Sequence, residues 1–509
     1  MQPTDINMES ATAPAVGDEA CGPSPVWMYS IWVLLAAGLM LYAQTRAFTD
    51  DEGFHLLAAQ LIKAGMRPYL DFCFTQTPFN AYWNALWMCV FGESWRTAHL
   101  LAALETSAAV TLAAQFVHAH LPERPWRVAG AIAAATIIGL NANLVEFGPL
   151  GQAYGMCLFT SVCAFRLAVV AVDRRSVWLA AGSGLFAGIG AASSLLALMV
   201  GPVLVVWIWW HNRAGNRWLK AAAFIASGSL PFLPVLRLWL QSPWVVWFDV
   251  TQYHLHFREV YWPDPLSHDL ETLTAWAGEP QSLLTGLLAI FAVVYIARRS
   301  DWSRERRSEF YLCGWLAIGI TAELAIAHPT FPRYFCLLAP FVGILAIPGL
   351  YALGSRVLEP GRPFWPVLII TLISAGVLAR TLYIDREHST WPEYEDLGRM
   401  LVAVTPPGKQ VFTDEGVYFV AKRWAPRGME FGYSHKLQLS PDKLAKLHIT
   451  TESELQKELA DGVFASAATC DNDTVDTYAL ARIFQHRDDM HDCSVYSDWQ
   501  RPTPEKQSP

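Results

Sequence analysis

The sequence predicts a mainly α fold: a polytopic bundle of about eleven membrane-spanning helices, followed by a small α/β domain. Three observations carry that expectation. Hydrophobic residues make up 53% of the 509 and charged residues only 16%, the balance of a chain solvated largely by lipid. Long apolar runs recur between residues 27 and 383. From residue 385 the chain turns polar, and strand-like and helix-like patterns alternate.

Residues 1–25 contain no Lys or Arg and are rich in Ala, Pro and acids. They lack the positive segment of a secretory signal and read as a disordered cytoplasmic tail. The run 27–42, with its flanks, is long enough to cross roughly 30 Å of hydrocarbon as a helix. Further runs lie at 98–117, 128–145, 153–172, 177–192, 195–210, 219–240, 282–297, 310–327, 334–353 and 364–383. The stretch 177–210 also reads as one broken hairpin. Basic loops at Arg124 and Arg127, Arg174 and Arg175, Arg213 and Arg217, Arg298 to Arg307, and Arg356 with Arg362 alternate with loops poor in such residues. The positive-inside rule assigns the basic set to the cytoplasm. The membrane domain 26–384 then sends 45–97, 146–152, 241–280 and 328–333 outward, together with the domain 385–509.

Asp50, Asp51 and Glu52 are adjacent acids at the mouth of the first span. Carboxylates near hydrocarbon carry a desolvation penalty unless something uses or pairs them, so this turn is a candidate catalytic site. A solvated loop ending a helix is the other reading. In 52–64, Phe54, Leu57, Ala58, Leu61 and Ile62 share one helical face and Gly65 stops the helix, giving an amphipathic helix at the membrane interface. Extended chain at 68–71 includes Asp71. A second, aromatic-rich interfacial helix opens after Gln76 and includes Tyr82.

The 241–280 loop carries His254, His256 and Arg258 among Trp and Tyr residues. Read as a strand, it puts both imidazoles on one face, a weak metal candidate without a third ligand at fixed spacing. Otherwise it forms an aromatic, hydrogen-bonding wall. The nine cysteines show no C-x-x-C, which excludes zinc-knuckle and redox motifs. Cys470 and Cys493, both in the outward tail, are candidates to pair in an oxidising compartment. In that tail 409–414 and 462–467 read as strands and 415–422 and 452–460 as helices, with Tyr433, Ser434 and His435 conspicuous between them. No glycine-rich phosphate loop marks a nucleotide site, and no basic patch interleaved with aromatics marks a nucleic-acid partner.

Several motifs follow one another in order: the first span and its acids, G-x-x-P-Y-x-D at 65–71, T-P-F-N-A-Y-W-N-A at 77–85, and F-G-E-S-W-R-T-A-H-L-L-A-A-L at 91–104. This order resembles the integral-membrane GT-C glycosyltransferases, in particular the bacterial group of protein O-mannosyltransferases and lipid A aminoarabinose transferases. The resemblance is strongest over 45–175. It implies transfer of a sugar from a polyprenyl-phosphate donor to an acceptor at the outer face of a bacterial inner membrane. Asp51 matches the family's catalytic Asp, with Asp50 as the fallback and Glu52 beside it. Such a carboxylate acts as general base on an acceptor hydroxyl, with inversion at the anomeric carbon.

Where relatives often carry a second acid, this chain has Gln152, which hydrogen-bonds but cannot act as a base; Glu146 is the nearest substitute. The segment His328 to Tyr334 resembles the family's Arg-Tyr turn and puts Arg333 on the leaving phosphate, with Arg258 as a second candidate. Asp71, Gln76, Tyr82, Glu146, Gln152, Tyr154, His254, His256, His328 and Tyr334 are the implied substrate contacts. A divalent metal is compatible but not required. The acceptor is expected to be a cell-envelope glycan or lipid, with a protein as the alternative, and the tail to dock the acceptor or shield the site. A lipid-sugar flippase is the reading from another class; it would show internal repeats and charges near mid-bilayer. The acids here gather at one face, and no repeat is visible.

Overall fold

The computed structural model describes residues 26–212, 216–261, 264–300, 302–327, 329–357, 363–384, 386 and 389–501. The expected tail at 1–25, the candidate His328 and the side chain of Arg258 lie outside the described residues.

The chain enters through α1 (Val26–Thr45), and α2 (Asp50–Lys63) and α3 (Phe79–Phe91) follow at the same end. The bundle continues with α4 (Trp95–His120), α5 (Arg124–Gly139), the short α6 (Ala142–Phe147), α7 (Tyr154–Asp173), α8 (Val177–Ser193), α9 (Val200–His211), α10 (Arg217–Ser229) and α11 (Leu233–Gln241). A helical excursion follows: α12 (Pro243–Trp247), a π turn at Phe248–Gln252, α13 (Tyr253–Tyr261) and α14 (Pro265–Gly278). Helices α15 (Pro280–Arg298), α16 (Arg304–Ile326), α17 (Ala339–Val357) and α18 (Phe364–Ile384) complete it.

Among the described residues, eight helical segments are long and apolar enough to cross a membrane. They correspond to eight of the predicted spans. The other three, at 128–145, 177–192 and 195–210, form the shorter helices α5, α8 and α9. Between α8 and α9 a 3-10 turn at Leu195–Ala197 breaks the chain, and the Glu323 carboxylate of α16 accepts the Met199 N–H at 2.9 Å. That bond satisfies a backbone donor which would otherwise be exposed at the break.

Helices α4, α7 and the segment leading into α17 form the buried centre, whereas α1 and α18 lie at the periphery with most of their surface exposed to the lipid position. Close approach replaces hydrophobic force as the means of packing in lipid. A Cβ built on Gly188 of α8 would lie 2.1 Å from the Gly228 carbonyl oxygen of α10, so only glycine permits that crossing.

The polar tail folds as α19 (Trp391–Val404), β1 (Gln410–Phe412), α20 (Glu415–Ala421), α21 (Pro441–Lys446), α22 (Glu452–Ala460), β2 (Phe464–Thr469), α23 (Asn472–Thr477), α24 (Leu480–Ile483), β3 (Phe484–Met490) and β4 (Cys493–Trp499). The sheet order is β1-β2-β4-β3, with β1 parallel to β2 and the other pairs antiparallel. A parallel pair needs a crossover, and α20 to α22 provide it. Cys470 and Cys493 are joined by a disulfide between the end of β2 and the start of β4.

Two elements differ from the sequence reading. The His254 and His256 segment is helical rather than extended, so the two imidazoles leave the axis about 200° apart instead of on one face. His254 Nε2 bonds to the Thr75 carbonyl at 2.8 Å, and His256 stacks on Phe248. Helix α2 has the expected apolar face, but Leu56 and Ala59 opposite it are buried too. Leu56 packs against Gly151 of the membrane domain while Gly53 meets the Gly416 backbone of α20, so α2 is clamped between two protein layers. Helix α3 keeps an apolar face open, with Leu86, Val90 and Phe91 exposed as an interfacial helix requires.

Candidate active site

The loops expected to face outward converge at one end of the bundle. At the opposite end His120 pairs with Glu309 at 2.9 Å and the Tyr351 hydroxyl donates to Glu123 at 2.6 Å, so the helix ends beside three of the basic loops lie together there. The convergence begins at the start of α2, whose first turn is Asp50, Asp51 and Glu52. Successive helical residues point about 100° apart, so the three acids reach three different neighbourhoods.

Asp51 faces the membrane domain. Its Oδ2 lies 2.6 Å from a terminal nitrogen of Arg333, both side chains being partly buried. Arg333 sits on the 3-10 turn Pro332–Leu338 that leads into α17, and its guanidinium lies over the Phe331 ring at 4.6 Å. Tyr334 flanks it, and so does the Tyr154 ring at the start of α7. The turn is held in place by α6, where the Asn143 amide donates to the Pro332 carbonyl at 3.2 Å. Glu146 lies on α6.

Asp50 faces the C-terminal domain and accepts a hydrogen bond from Tyr394. Burial, and next the adjacent Asp51 charge, holds its carboxyl above the ordinary range. Tyr433 donates to Asp51; burial and then that carboxylate push the phenol well above its usual value, so it remains a donor. Glu415 lies beside them, raised to about 7 chiefly by burial, with its carboxylate accepting the Gly432 N–H.

Glu52 turns inward and is fully buried. It accepts from the Gly151 N–H at 2.5 Å and from the Trp391 indole at 2.8 Å, and it meets His99 Nε2 at 2.7 Å. His99 Nδ1 lies 2.6 Å from the Ala43 carbonyl and must donate to it, so a proton also sits between Nε2 and Glu52. The bonds tie α2 to α4, to the loop before α7 and to the C-terminal domain at one atom group. This geometry makes Glu52 a structural node with no face open to a substrate.

The remaining predicted residues are dispersed. Asp71 forms a two-pronged pair with Arg67 at 2.8 and 2.9 Å near the surface, and that hydrogen bonding holds it below the usual carboxylate range. The Gln76 carbonyl accepts from Tyr69, and Tyr82 is partly buried on α3. Gln152 is 4% exposed, and its amide nitrogen has no partner among the described residues. Among the described residues no three His, Cys, Asp or Glu side chains come together to hold a metal ion.

Sequence reasoning passed over His55, Tyr394 and the contact role of Tyr433. His55 stands one helical turn after Asp51, on the same face, and that spacing was a usable signal. Burial, and then the Arg333 charge, pushes its imidazole down to about 3, so it is neutral at physiological pH. The two tyrosines are more than 300 residues away in sequence, and no local pattern connects them to the acids.

With this geometry in view, the chain is similar to two solved structures of ArnT from Cupriavidus metallidurans. The first, bound to undecaprenyl phosphate, shares 13% identity over 93% of this chain and 98% of that chain, with a TM-score of 0.60. The second, in the apo state, shares 14% identity over 92% and 97%, with a TM-score of 0.62. The Archaeoglobus fulgidus oligosaccharyltransferase in complex with Zn and sulfate is similar over 78% of this chain and 61% of that chain, at 15% identity and a TM-score of 0.50. No family model matches the chain, and no curated protein sequence does. The likeness is one of architecture: the chain has the GT-C polytopic membrane fold.

Proposed function

We propose that this chain is a membrane glycosyltransferase that takes a sugar from a polyprenyl-phosphate donor and passes it to an acceptor hydroxyl at the periplasmic face of a bacterial inner membrane. The observation that carries the reading is the Asp51 to Arg333 pair at the mouth of a GT-C bundle, a carboxylate and a guanidinium 2.6 Å apart. The undecaprenyl phosphate bound to ArnT, in a structure of the same fold, supports a lipid-phosphate donor.

Arg333 offers a planar fork of donors that matches phosphate oxygens. Its partly buried position makes that charge more effective than it would be in water. In the resting structure the fork holds Asp51, so donor phosphate and Asp51 compete for it. When phosphate takes the guanidinium, Asp51 is freed to accept the acceptor's hydroxyl proton. The acceptor oxygen then bonds to the anomeric carbon, and the bond from that carbon to the phosphate oxygen breaks, leaving its electron pair on the lipid phosphate. Attack opposite the leaving group inverts the anomeric configuration. Tyr433 donates to Asp51 and orients it, neutral His55 stands one turn further on the same helical face, and the unpartnered Gln152 amide is a further donor for a sugar oxygen.

Transfer assays with purified protein and a set of polyprenyl-phosphate sugars test this reading. Asp51→Asn is expected to keep donor binding and lose transfer, whereas Arg333→Gln is expected to weaken donor binding itself. Donor carried across a vesicle membrane without cleavage would overturn the transferase assignment.

A further inference from the structure

A cavity of about 400 Å³ lies between the start of α2 and the C-terminal domain, lined by Asp50, the neighbour of Asp51, and by Tyr433, which donates to Asp51. Asp50 and Tyr433 form its wall toward the transfer centre. Residues of 412–416 and of 468–474 other than Asn472 also line it.

Its charge is one-sided. Among the described residues six carboxylates line it against one lysine. Asp414 and Asp471 cap α20 and α23, yet each keeps further acceptor capacity. Burial holds Asp414 up to about 6 and Glu415 up to about 7, so both add to the field as pH rises past those values. A phosphorylated ligand would meet like charge throughout, a penalty with no compensating donor cluster. A cation would instead find several acceptors at once.

The cavity also has an aromatic side. Phe48 packs on Trp391 at 5.5 Å and on Tyr394 at 4.7 Å, giving ring faces and edges along one wall. Such a surface suits the apolar face of a sugar ring or a cation held over a ring. Finally, Thr413 is 6% exposed, and its hydroxyl has no partner among the described residues although the residue lines the cavity. A buried hydroxyl left without a partner is unfavourable, and a bound polyol would supply one.

We infer that this cavity is the acceptor subsite and that the acceptor is a glycan carrying a free primary amine, not a phosphorylated one. The inference rests on the transfer reading above, because Tyr433 both lines the cavity and hydrogen-bonds the proposed base. An acceptor seated there presents a hydroxyl past Tyr433 to Asp51. Its ammonium group lies among the carboxylates, and its ring lies along Phe48 and Tyr394. The transfer step is unchanged: the hydroxyl proton goes to Asp51 and the lipid phosphate leaves with the electron pair.

The test uses full-length Asp51→Asn protein in detergent, so that binding is measured without turnover. The probes are a glucosamine oligosaccharide with free amines, its N-acetylated form, and the same sugar bearing a phosphate. The free amine is expected to bind roughly tenfold tighter than the acetylated form, the worth of one charge-assisted hydrogen bond. The phosphorylated form is expected to bind weakest. Adding Glu415→Gln, which keeps the bond from the Gly432 N–H, and Asp471→Asn, which keeps one of its two backbone bonds, should erase the preference for the amine, and Thr413→Val should weaken all three sugars. Equal binding of free and acetylated probes, or tightest binding of the phosphorylated one, would overturn the inference. Loss of polyprenyl-phosphate binding alone, with the amine preference intact, would count against the donor assignment and leave the subsite standing.

Discussion

Gly53, directly after the three acids, is where α2 touches the C-terminal domain, and Gly53→Ala tests that seam. A Cβ there would lie 2.7 Å from the Gly416 nitrogen, 3.0 Å from its Cα and 3.4 Å from the Glu415 carbonyl carbon. All three are backbone atoms of α20 or its first turn, so no side chain can rotate aside. Restoring ordinary carbon contact requires the seam to open by about 0.7 to 1 Å. Two effects of opposite sign compete. Alanine in a helix interior is favoured over glycine by roughly 0.5–1 kcal/mol. Forcing an extra methyl into a packed contact costs about 1–3 kcal/mol, so the variant should be the less stable protein. Function should suffer more than stability, since the same opening carries Tyr433 from Asp51 and Trp391 from Glu52. A displacement of about 1 Å at a reacting group lowers the rate by roughly a hundredfold. Thermal unfolding in detergent reads the first effect, and sugar transfer at saturating donor reads the second. A Gly53→Ala protein that melts higher than wild type and transfers at the wild-type rate would refute the closed seam.

Glu52→Ala leaves His99, the Gly151 N–H and the Trp391 indole without their acceptor in a dry site, and a loss of about 3–5 kcal/mol is expected by denaturant titration. An unaltered midpoint would mean that Glu52 holds nothing together. The Cys470 to Cys493 bridge spans a sequence separation of 23, so reduction should destabilise the C-terminal domain by about 3 kcal/mol. Limited proteolysis with and without reductant would show this as faster cutting within 389–501, and equal rates would contradict it. Burial, the largest cause for each, pushes Asp414 up to about 6 and Glu415 to about 7, above their ordinary values. Both therefore bind protons more tightly when folded, and their contribution to stability is full at low pH and is lost as pH rises through 6 to 7. The unfolding temperature should be lower at pH 8 than at pH 5.5, and Asp414→Asn with Glu415→Gln should flatten that slope; an unchanged slope would remove the assignment.

Much of the architecture is legible because lipid is a strict solvent. A helix that must bury every backbone group in hydrocarbon shows itself as an apolar run, and eight predicted spans coincide with helices long enough to cross. The tail's alternation also placed β1, α20, α22 and β2 correctly, since each carries its own periodicity. The β3 and β4 hairpin was missed: Phe484 to Met490 is largely exposed and charged, without the apolar alternation that marks a half-buried strand. The spacing of His254 and His256 fitted a strand with both imidazoles on one face, yet the two lie on α13, which continues from a π turn at Phe248–Gln252. At the site, the family resemblance singled out Asp51 and Arg333, and the fold brings the two side chains within 2.6 Å of each other. Nothing local shows that Asp50, Asp51 and Glu52 part ways, because that follows from which partner each meets across the fold. Glu52 looked like a third active-site acid until Trp391 and His99 were seen to enclose it.

Single-turnover transfer from a polyprenyl-phosphate sugar by Asp51→Asn, set beside wild type at matched donor occupancy, bears most directly on the role given to that carboxylate. The account predicts a rate lower by roughly 10²–10⁴-fold with folding and donor affinity kept. A rate within twofold of wild type would contradict it.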